Sequence, residues 1–290
     1  MRFRYLRADH SLLGGLWDID ARSVETAESI YSTFILQELV RLADSTSHEA
    51  SGDKSALIIG LGAGLSARAL HQHQVEVTIV EIDPVVYDFA RRYFAVPKPT
   101  GGAFLEDARA FLRRETERVS FPSSYDYIVH DVFTGGSVPA SLFTIECFQD
   151  ISRALTPTGI VAINFAGNTS SVASQLVFST ILSSFHHCRA FEDGAHTTDY
   201  RNLVFFCSPS SPVVFRQPLP SDYLPFPSPL MREKVFNEFE SAEMDLSGVK
   251  LGSVVHDGSE RELEEAQRAG VKEHWELMNG VLPLETWAIY

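Results

Sequence analysis

The sequence predicts an α/β protein. A mostly parallel sheet carries helices on both faces, with a small N-terminal β and helical element and an irregular, helical C-terminal extension. Three observations carry this. Short apolar or β-branched runs alternate with helical patterns five times between residues 56 and 185, the mark of repeated strand–helix crossovers. The first run ends in a glycine cluster, Gly60-Leu61-Gly62-Ala63-Gly64, which suits a strand entering a tight turn. Composition is that of a globular chain, 44% hydrophobic and 21% charged over 290 residues, which excludes a disordered or fibrous protein.

Residues 1–50 hold a small β element and an amphipathic helix around Ile30 to Leu42, and the polar stretch Asp44 to Lys54 reads as a loop. Ala56-Leu57-Ile58-Ile59 is a buried parallel strand, followed by a helix from Leu65 to His73. Val75 to Val80 is rich in β-branched residues and gives the second strand. Asp83-Pro84 opens a helix, with Asp as cap and Pro at its first position, and the helix runs to about Ala95. Ala103-Phe104-Leu105 is a weak third strand before a helix from Ala108 to Arg118. Tyr125 to Val129 is the fourth strand, Leu142 to Leu155 a helix, Gly159 to Ile163 the fifth strand and Ser171 to Phe185 a helix. His187 to Phe191 and Asn202 to Cys207 form a closing pair of strands. A proline-rich strap follows from Pro209 to Pro229, then helical patterns at Met231 to Ser241 and Glu260 to Met278. The expected division is therefore 1–50, 51–208 and 209–290.

Charge and cysteine content narrow the function. Lys plus Arg is 24 and Asp plus Glu is 38, so the net charge is −14. That balance opposes binding to nucleic acid, which needs a basic footprint, and suits cationic or small neutral substrates. Cys147, Cys188 and Cys207 make no C-x-x-C pair, so we expect no metal site and three core or strand thiols in a reducing compartment. The basic N-terminus has no apolar run behind it, and the stretch from Val172 to Phe185 is too short to span a bilayer. The expectation is a cytoplasmic protein with no membrane partner.

Right-handed crossovers place the C-terminal ends of parallel strands on one edge, where ligands bind. Functional residues are therefore sought just after each strand. The loop Gly60-Leu61-Gly62-Ala63-Gly64 is G-x-G-x-G, without the third glycine of a dinucleotide fingerprint, which would fall at Leu65, and without G-K-[ST]. It suits a nucleoside carrying no pyrophosphate. Glu81 ends the second strand, where an acid can accept from both ribose hydroxyls. Asp107, after the third strand, either caps the next helix or accepts from an adenine amino group, and one residue can do both. Asp131 ends the fourth strand at the reacting edge, or caps the turn ahead of Gly135-Gly136. His130 alternates away from it and reads as a packed core residue. Tyr31 and Asn164, the latter on the end of the fifth strand, are candidates to shape an acceptor pocket.

These segments resemble the spermidine synthase (polyamine aminopropyltransferase) family, within the Rossmann-like class I S-adenosylmethionine methyltransferase fold. The resemblance covers about residues 25–165 and rests on six segments. They are Phe34-Ile35-Leu36-Gln37-Glu38-Leu39, Leu57-Ile58-Ile59-Gly60, Val80-Glu81-Ile82-Asp83, Glu106-Asp107-Ala108, Tyr125 to Asp131, and Pro139-Ala140-Ser141-Leu142-Phe143. The resemblance implies that Gln37, Gly60, Leu61, Gly62, Gly64, Glu81, Ile82, Asp107 and Ala108 line the cofactor site. Within that set Gln37 would meet the nucleoside or amino-acid end, Glu81 the ribose and Asp107 the adenine. It also implies that Asp131 is the catalytic carboxylate, as base or ammonium anchor, and that related enzymes often form homodimers.

Two departures bear on the chemistry. The family carries an acid in its glycine loop, G-G-G-D-G-G, and here that position is Ala63. Removing one negative charge beside a carboxylate removes repulsion of about 4 kcal/mol at 4 Å and an effective dielectric near 20. The loop should thus admit intact S-adenosylmethionine in place of its decarboxylated form. The family's D-x-x-D pair keeps Asp131, but its second position is Thr134. The expected function is methyl transfer from S-adenosylmethionine to a small-molecule amine or hydroxyl acceptor. The alternatives are polyamine aminopropyl transfer and a nucleoside-binding homologue without catalysis.

Overall fold

The computed structural model describes residues 2–8, 11–18, 24–43, 54–117, 124–132, 135–193, 199–224, 230–280 and 284–288. Strands β1 (Arg2–Ala8) and β2 (Ser11–Asp18) form an antiparallel hairpin, and helix α1 (Thr33–Gln37) follows. The alternation then runs β3 (Ser55–Ile59), α2 (Leu65–Gln72), β4 (Glu76–Val80), α3 (Pro84–Tyr93), β5 (Gly102–Phe104) and α4 (Ala108–Thr116). It continues through β6 (Tyr125–His130), α5 (Ile145–Ala154), β7 (Leu155–Asn168) and α6 (Val172–Ser184). Strands β8 (His187–Glu192) and β9 (Tyr200–Ser208) close the core. Helix α7 (Leu230–Glu238), the short strand β10 (Glu243–Met244), and helices α8 (Arg261–Ala266), α9 (Arg268–Met278) and α10 (Leu284–Trp287) complete the chain.

The main sheet has eight strands in the order β10-β8-β9-β7-β6-β3-β4-β5. Pairing is parallel from β5 through β4, β3 and β6 to β7, and β9 is antiparallel to both β7 and β8. It follows that β8 points the same way as β7, so six strands end on one edge. Apolar residues on the two sides of the sheet form two separate cores. Ile58, Ile79 and Val129 belong to one, and Leu57, Ile59, Ile128 and Ile163 to the other. This alternation along buried strands is what a sheet covered on both faces requires. Asp83 and Asp107 cap α3 and α4 as the sequence suggests, accepting from Val85 N and Ala110 N at 2.8 Å each.

Several elements differ from their sequence reading. The helix expected over Ile30 to Leu42 is only five residues of α1, then a 3-10 turn, Glu38–Arg41. There Glu38 and Arg41 turn inward to buried ion pairs with Arg232 (2.8 Å) and Asp222 (2.7 Å). Strand β7 is 14 residues long because β9 pairs along it as far as Asn168. A register shift opposite Tyr125 accommodates the Thr-Pro-Thr-Gly start. The helix expected from Glu260 to Met278 breaks at Gln267 into α8 and α9. Its side chain leaves the helix to bridge Val138, accepting from its N–H at 2.5 Å and donating to its carbonyl at 3.1 Å. Cys188 and Cys207 are not free thiols: they face each other across β8 and β9, Cα atoms 4.2 Å apart, and form a disulfide. Cys147 is free and buried, and burial pushes its thiol up to about 12. The polar loop expected at Asp44 to Lys54 lies, up to residue 53, outside the described residues. Among the described residues no helix is long and apolar enough to cross a membrane.

Candidate active site

Strand order reverses between β3 and β6, which opens a crevice at their C-terminal ends. The glycine loop leaves β3 there. Gly60, Gly62 and Gly64 all have positive φ, at 79°, 53° and 72°, a region that side chains rarely adopt. Each also meets a close neighbour. A Cβ on Gly60 would lie 2.1 Å from the Asp131 carbonyl oxygen, one on Gly62 2.5 Å from the Leu13 carbonyl oxygen, and one on Gly64 2.4 Å from Val96. Gly60 thus lets the loop touch the end of β6, Gly62 lets the hairpin lie on the loop, and Gly64 packs the start of α2. A narrow cleft lies between Phe34, Gln37, Gly60, Leu61, Ser66 and Asp131.

Beside this cleft, Glu81 is buried at the end of β4. One carboxylate oxygen accepts from Leu61 N at 2.8 Å and the other from Asp83 N at 2.9 Å. Burial raises its pKa, and those backbone donors partly offset the rise. Two of roughly four lone-pair sites stay open for hydroxyl donors. Next to it Ile82 is 68% exposed, an unusual position for an isoleucine. Asp107 spends one oxygen on its helix cap and leaves the second open, with Ala108 buried beside it. An exposed apolar face between two acids with spare acceptor capacity fits a nucleoside's base and ribose, so S-adenosylmethionine fits the residues present here.

Asp131 occupies the middle of the edge. Its carboxylate accepts from Gln37 Nε2 at 2.9 Å and from Asn164 Nδ2 at 2.8 Å. Gln37 is held in turn by the Ser66 hydroxyl. Burial raises the Asp131 pKa, and the two amides act against the rise. Asn164 reaches this point because β7 runs on past the end of β6, where His130 pairs with Ile163. The Asn164 Oδ1 is buried without a hydrogen-bond partner, an acceptor awaiting a donor. His130 points to the opposite core, fully buried against Phe143 and Phe148, and burial lowers its pKa to about 4.

The same edge carries a group that the sequence reading passed over. Asp193 follows β8, and its carboxylate accepts from the hydroxyls of Ser32 and Thr33. Asn202 on β9 donates to the Thr33 hydroxyl at 2.7 Å. Tyr31 lies beside it, its phenol pushed up to about 12 by burial and by the Asp193 charge. The rule of searching after each strand would have found Asp193 had it been extended to the closing pair. That β8 runs parallel to β7 is not legible without its pairing. Thr134 lies outside the described residues.

The hairpin changes the meaning of Ala63. Ala63 N donates to the Leu13 carbonyl at 2.8 Å, its side chain is fully buried, and a Cβ on Gly14 would lie 2.9 Å from its own. The missing acid removes a charge, as expected. The space it vacates is taken by the hairpin and not left for a cofactor carboxylate. On the far side, α9 covers the loop after β6: a Cβ on Gly136 would lie 2.6 Å from that of His274.

The sequence model of the spermine/spermidine synthase domain matches residues 33–187. The chain is 40% identical, over 98% of its length, to an N-terminal histidine N-methyltransferase of Emericella nidulans, of which it covers 54%. It therefore spans about half the length of that relative. Two solved structures share its fold. A probable spermidine synthase from Corynebacterium glutamicum gives a TM-score of 0.55 at 20% identity, over 88% of this chain and 93% of that one. Human methyltransferase-like protein 13 in complex with SAH gives 0.53 at 18% identity, over 70% and 90%.

Proposed function

The chain belongs to the spermine/spermidine synthase domain family, and from that premise we propose that it is the transferase domain of an S-adenosylmethionine-dependent methyltransferase whose acceptor is a histidine at the start of a protein chain. The observation that carries this reading is the likeness, along nearly the whole chain, to the Emericella nidulans N-terminal histidine N-methyltransferase. It moves the acceptor from the small molecule expected from sequence to a polypeptide. The site supplies compatible chemistry: one carboxylate at the crevice, Asp131, tethered by two amides.

S-adenosylmethionine, when bound, offers a methyl group on a sulfonium with a neutral thioether as leaving group. Glu81, Ile82, Asp107 and Ala108 would hold its nucleoside, and Gln37, Gly60 and Leu61 line the cleft toward its reacting end. The chain's remaining task is alignment, which can supply much of such a barrier. Asp131 accepts the N–H of one imidazole nitrogen. That fixes the tautomer and leaves the lone pair of the other nitrogen facing the donor. The same carboxylate holds the positive charge the ring gains on methylation and takes up its N–H proton. Burial suits Asp131 to this by raising its affinity for a proton.

The test is incubation with S-adenosylmethionine and a peptide that begins with histidine. One methyl group on that histidine by tandem mass spectrometry, with S-adenosylhomocysteine formed in equal amount, is the expected result. In a parallel incubation with decarboxylated S-adenosylmethionine and a diamine, methylthioadenosine together with the aminopropylated diamine would overturn it.

A further inference from the structure

Apart from Glu81, which backbone N–H groups hold, the buried acids elsewhere among the described residues are matched by arginine. Glu38 pairs with Arg232 at 2.8 Å, Asp222 with Arg41 and Arg216 at 2.7 Å each, and Asp150 with Arg109. Asp131 and Asp193 are half-buried, and among the described residues no Lys, Arg or His pairs with either. Neutral donors hold them instead. The side chains of Gln37 and Asn164 bond Asp131, and the hydroxyls of Ser32 and Thr33 bond Asp193.

The two acids are each anchored to α1, Asp193 through Thr33 and Asp131 through Gln37. Thr33 and Gln37 are four residues apart on α1, hence on one face. A rise of about 1.5 Å per residue sets their anchoring points about 6 Å apart. Asn164 and Asn202 lie on the same side of the sheet, each tied into one of the two groups. Carboxylates withheld from water without a cation are costly. Each here keeps lone pairs that its donors do not use. The buried, unpartnered Asn164 Oδ1 is a third acceptor at the same place. Such a site is built to receive a ligand that brings its own donors and at least one positive charge.

Resting on the histidine reading above, we propose that Asp193 recognises the free α-ammonium of the acceptor's first residue while Asp131 engages its imidazole. One histidine residue spans the gap, with its amine at one end and its ring at the other. An internal histidine offers an amide in place of the ammonium, so Asp193 would stay unpaired and the substrate would be rejected. Asp193 is thus a specificity-determining residue, placed to read the start of a chain and not the histidine itself.

The experiment compares two peptides of one sequence beginning with histidine, one with a free α-amine and one N-acetylated, with the wild type, Asp193→Asn and Asp193→Glu. A hydroxyl can accept as well as donate, so Ser32 or Thr33 can turn to meet the new amide and the fold tolerates the change. The wild type should prefer the free amine by about 10- to 100-fold in kcat/KM, the scale of a charge-assisted hydrogen bond. Asp193→Asn should raise KM for the free peptide by a similar factor at near-constant kcat and leave the acetylated peptide unchanged. Asp193→Glu should recover part of the preference. Calorimetric binding of S-adenosylhomocysteine should be equal in all three proteins. A wild type that treats both peptides alike, or an Asp193→Asn that slows both equally, overturns the assignment of Asp193 and leaves histidine methylation standing. A wild type that methylates neither peptide overturns both.

Discussion

Asp131 is a half-buried carboxylate that no cation pairs with among the described residues, and burial raises its pKa, so it lowers stability at the place where we propose that it serves chemistry. Asp131→Asn should cut turnover by about 100-fold or more, the usual weight of a positioned proton acceptor. The melting temperature should hold or rise, because Asn164 can flip its amide and offer Oδ1 to the new NH2. Kinetics and calorimetry on one preparation check both halves. Buried histidines set the pH dependence of stability. Burial lowers His130 and His274 to about 4, and burial with the charges of Arg41 and Arg232 lowers His73 to about 3. Unfolded, each titrates near 6.5. Between roughly pH 6.5 and pH 4 the unfolded chain therefore binds more protons, and stability falls as pH falls through that window. Asp131 and Glu81, both raised, oppose the trend just above the ordinary carboxylate range. His130→Phe should raise the melting temperature more at pH 5 than at pH 7, since a phenyl ring suits its contacts with Phe143 and Phe148. Glu81 and Asp131 were legible because each follows a strand whose apolar run is plain, and Asp107, after a weak strand, because it stands at a helix start. Gln37 came from the resemblance, and Asp193 was missed because it answers a tertiary partner on α1.

At the scale of elements, the hairpin β1–β2 governs the glycine loop. The loop's three positive-φ glycines and the Ala63–Leu13 hydrogen bond fit the two together. Ala63→Asp would press an unpaired charge against the hairpin at Gly14. It should destabilise the protein by about 3 kcal/mol or more, and it should not turn the donor preference toward decarboxylated S-adenosylmethionine. Chemical denaturation and a donor competition assay measure the two effects. The parallel core strands were legible from apolar runs and helix caps. The hairpin's role was not, because the contacts of β2 with the loop, through Leu13 and Gly14, join residues far apart in the chain. The five-residue length of α1 was hidden for a similar reason, since Glu38 and Arg41 find buried partners nearly two hundred residues away. The Cys188–Cys207 bond joins strands that the sequence paired correctly, yet the count of cysteines pointed to free thiols. Thiol titration in denaturant should find one reactive group before reduction and three after it.

Over the whole molecule, six strand ends converge on one edge, and the two ends of the chain cover it from opposite sides. The N-terminal hairpin lies on the glycine loop, and α9 packs on the turn after β6. The acidic chain, with a net charge of −14, favours an acceptor that arrives with a positive end. Along the edge lie Glu81 and Asp107, which we propose for the nucleoside, and Asp131 and Asp193, which we propose for the acceptor. The most direct measurement of this account gives the purified protein a histidine-initiated peptide with either S-adenosylmethionine or its decarboxylated form and identifies the nucleoside released. The account predicts S-adenosylhomocysteine from the first donor, with the methyl group on the histidine, and no turnover of the second. Methylthioadenosine from the decarboxylated donor, with the aminopropyl group carried by the peptide, would contradict it.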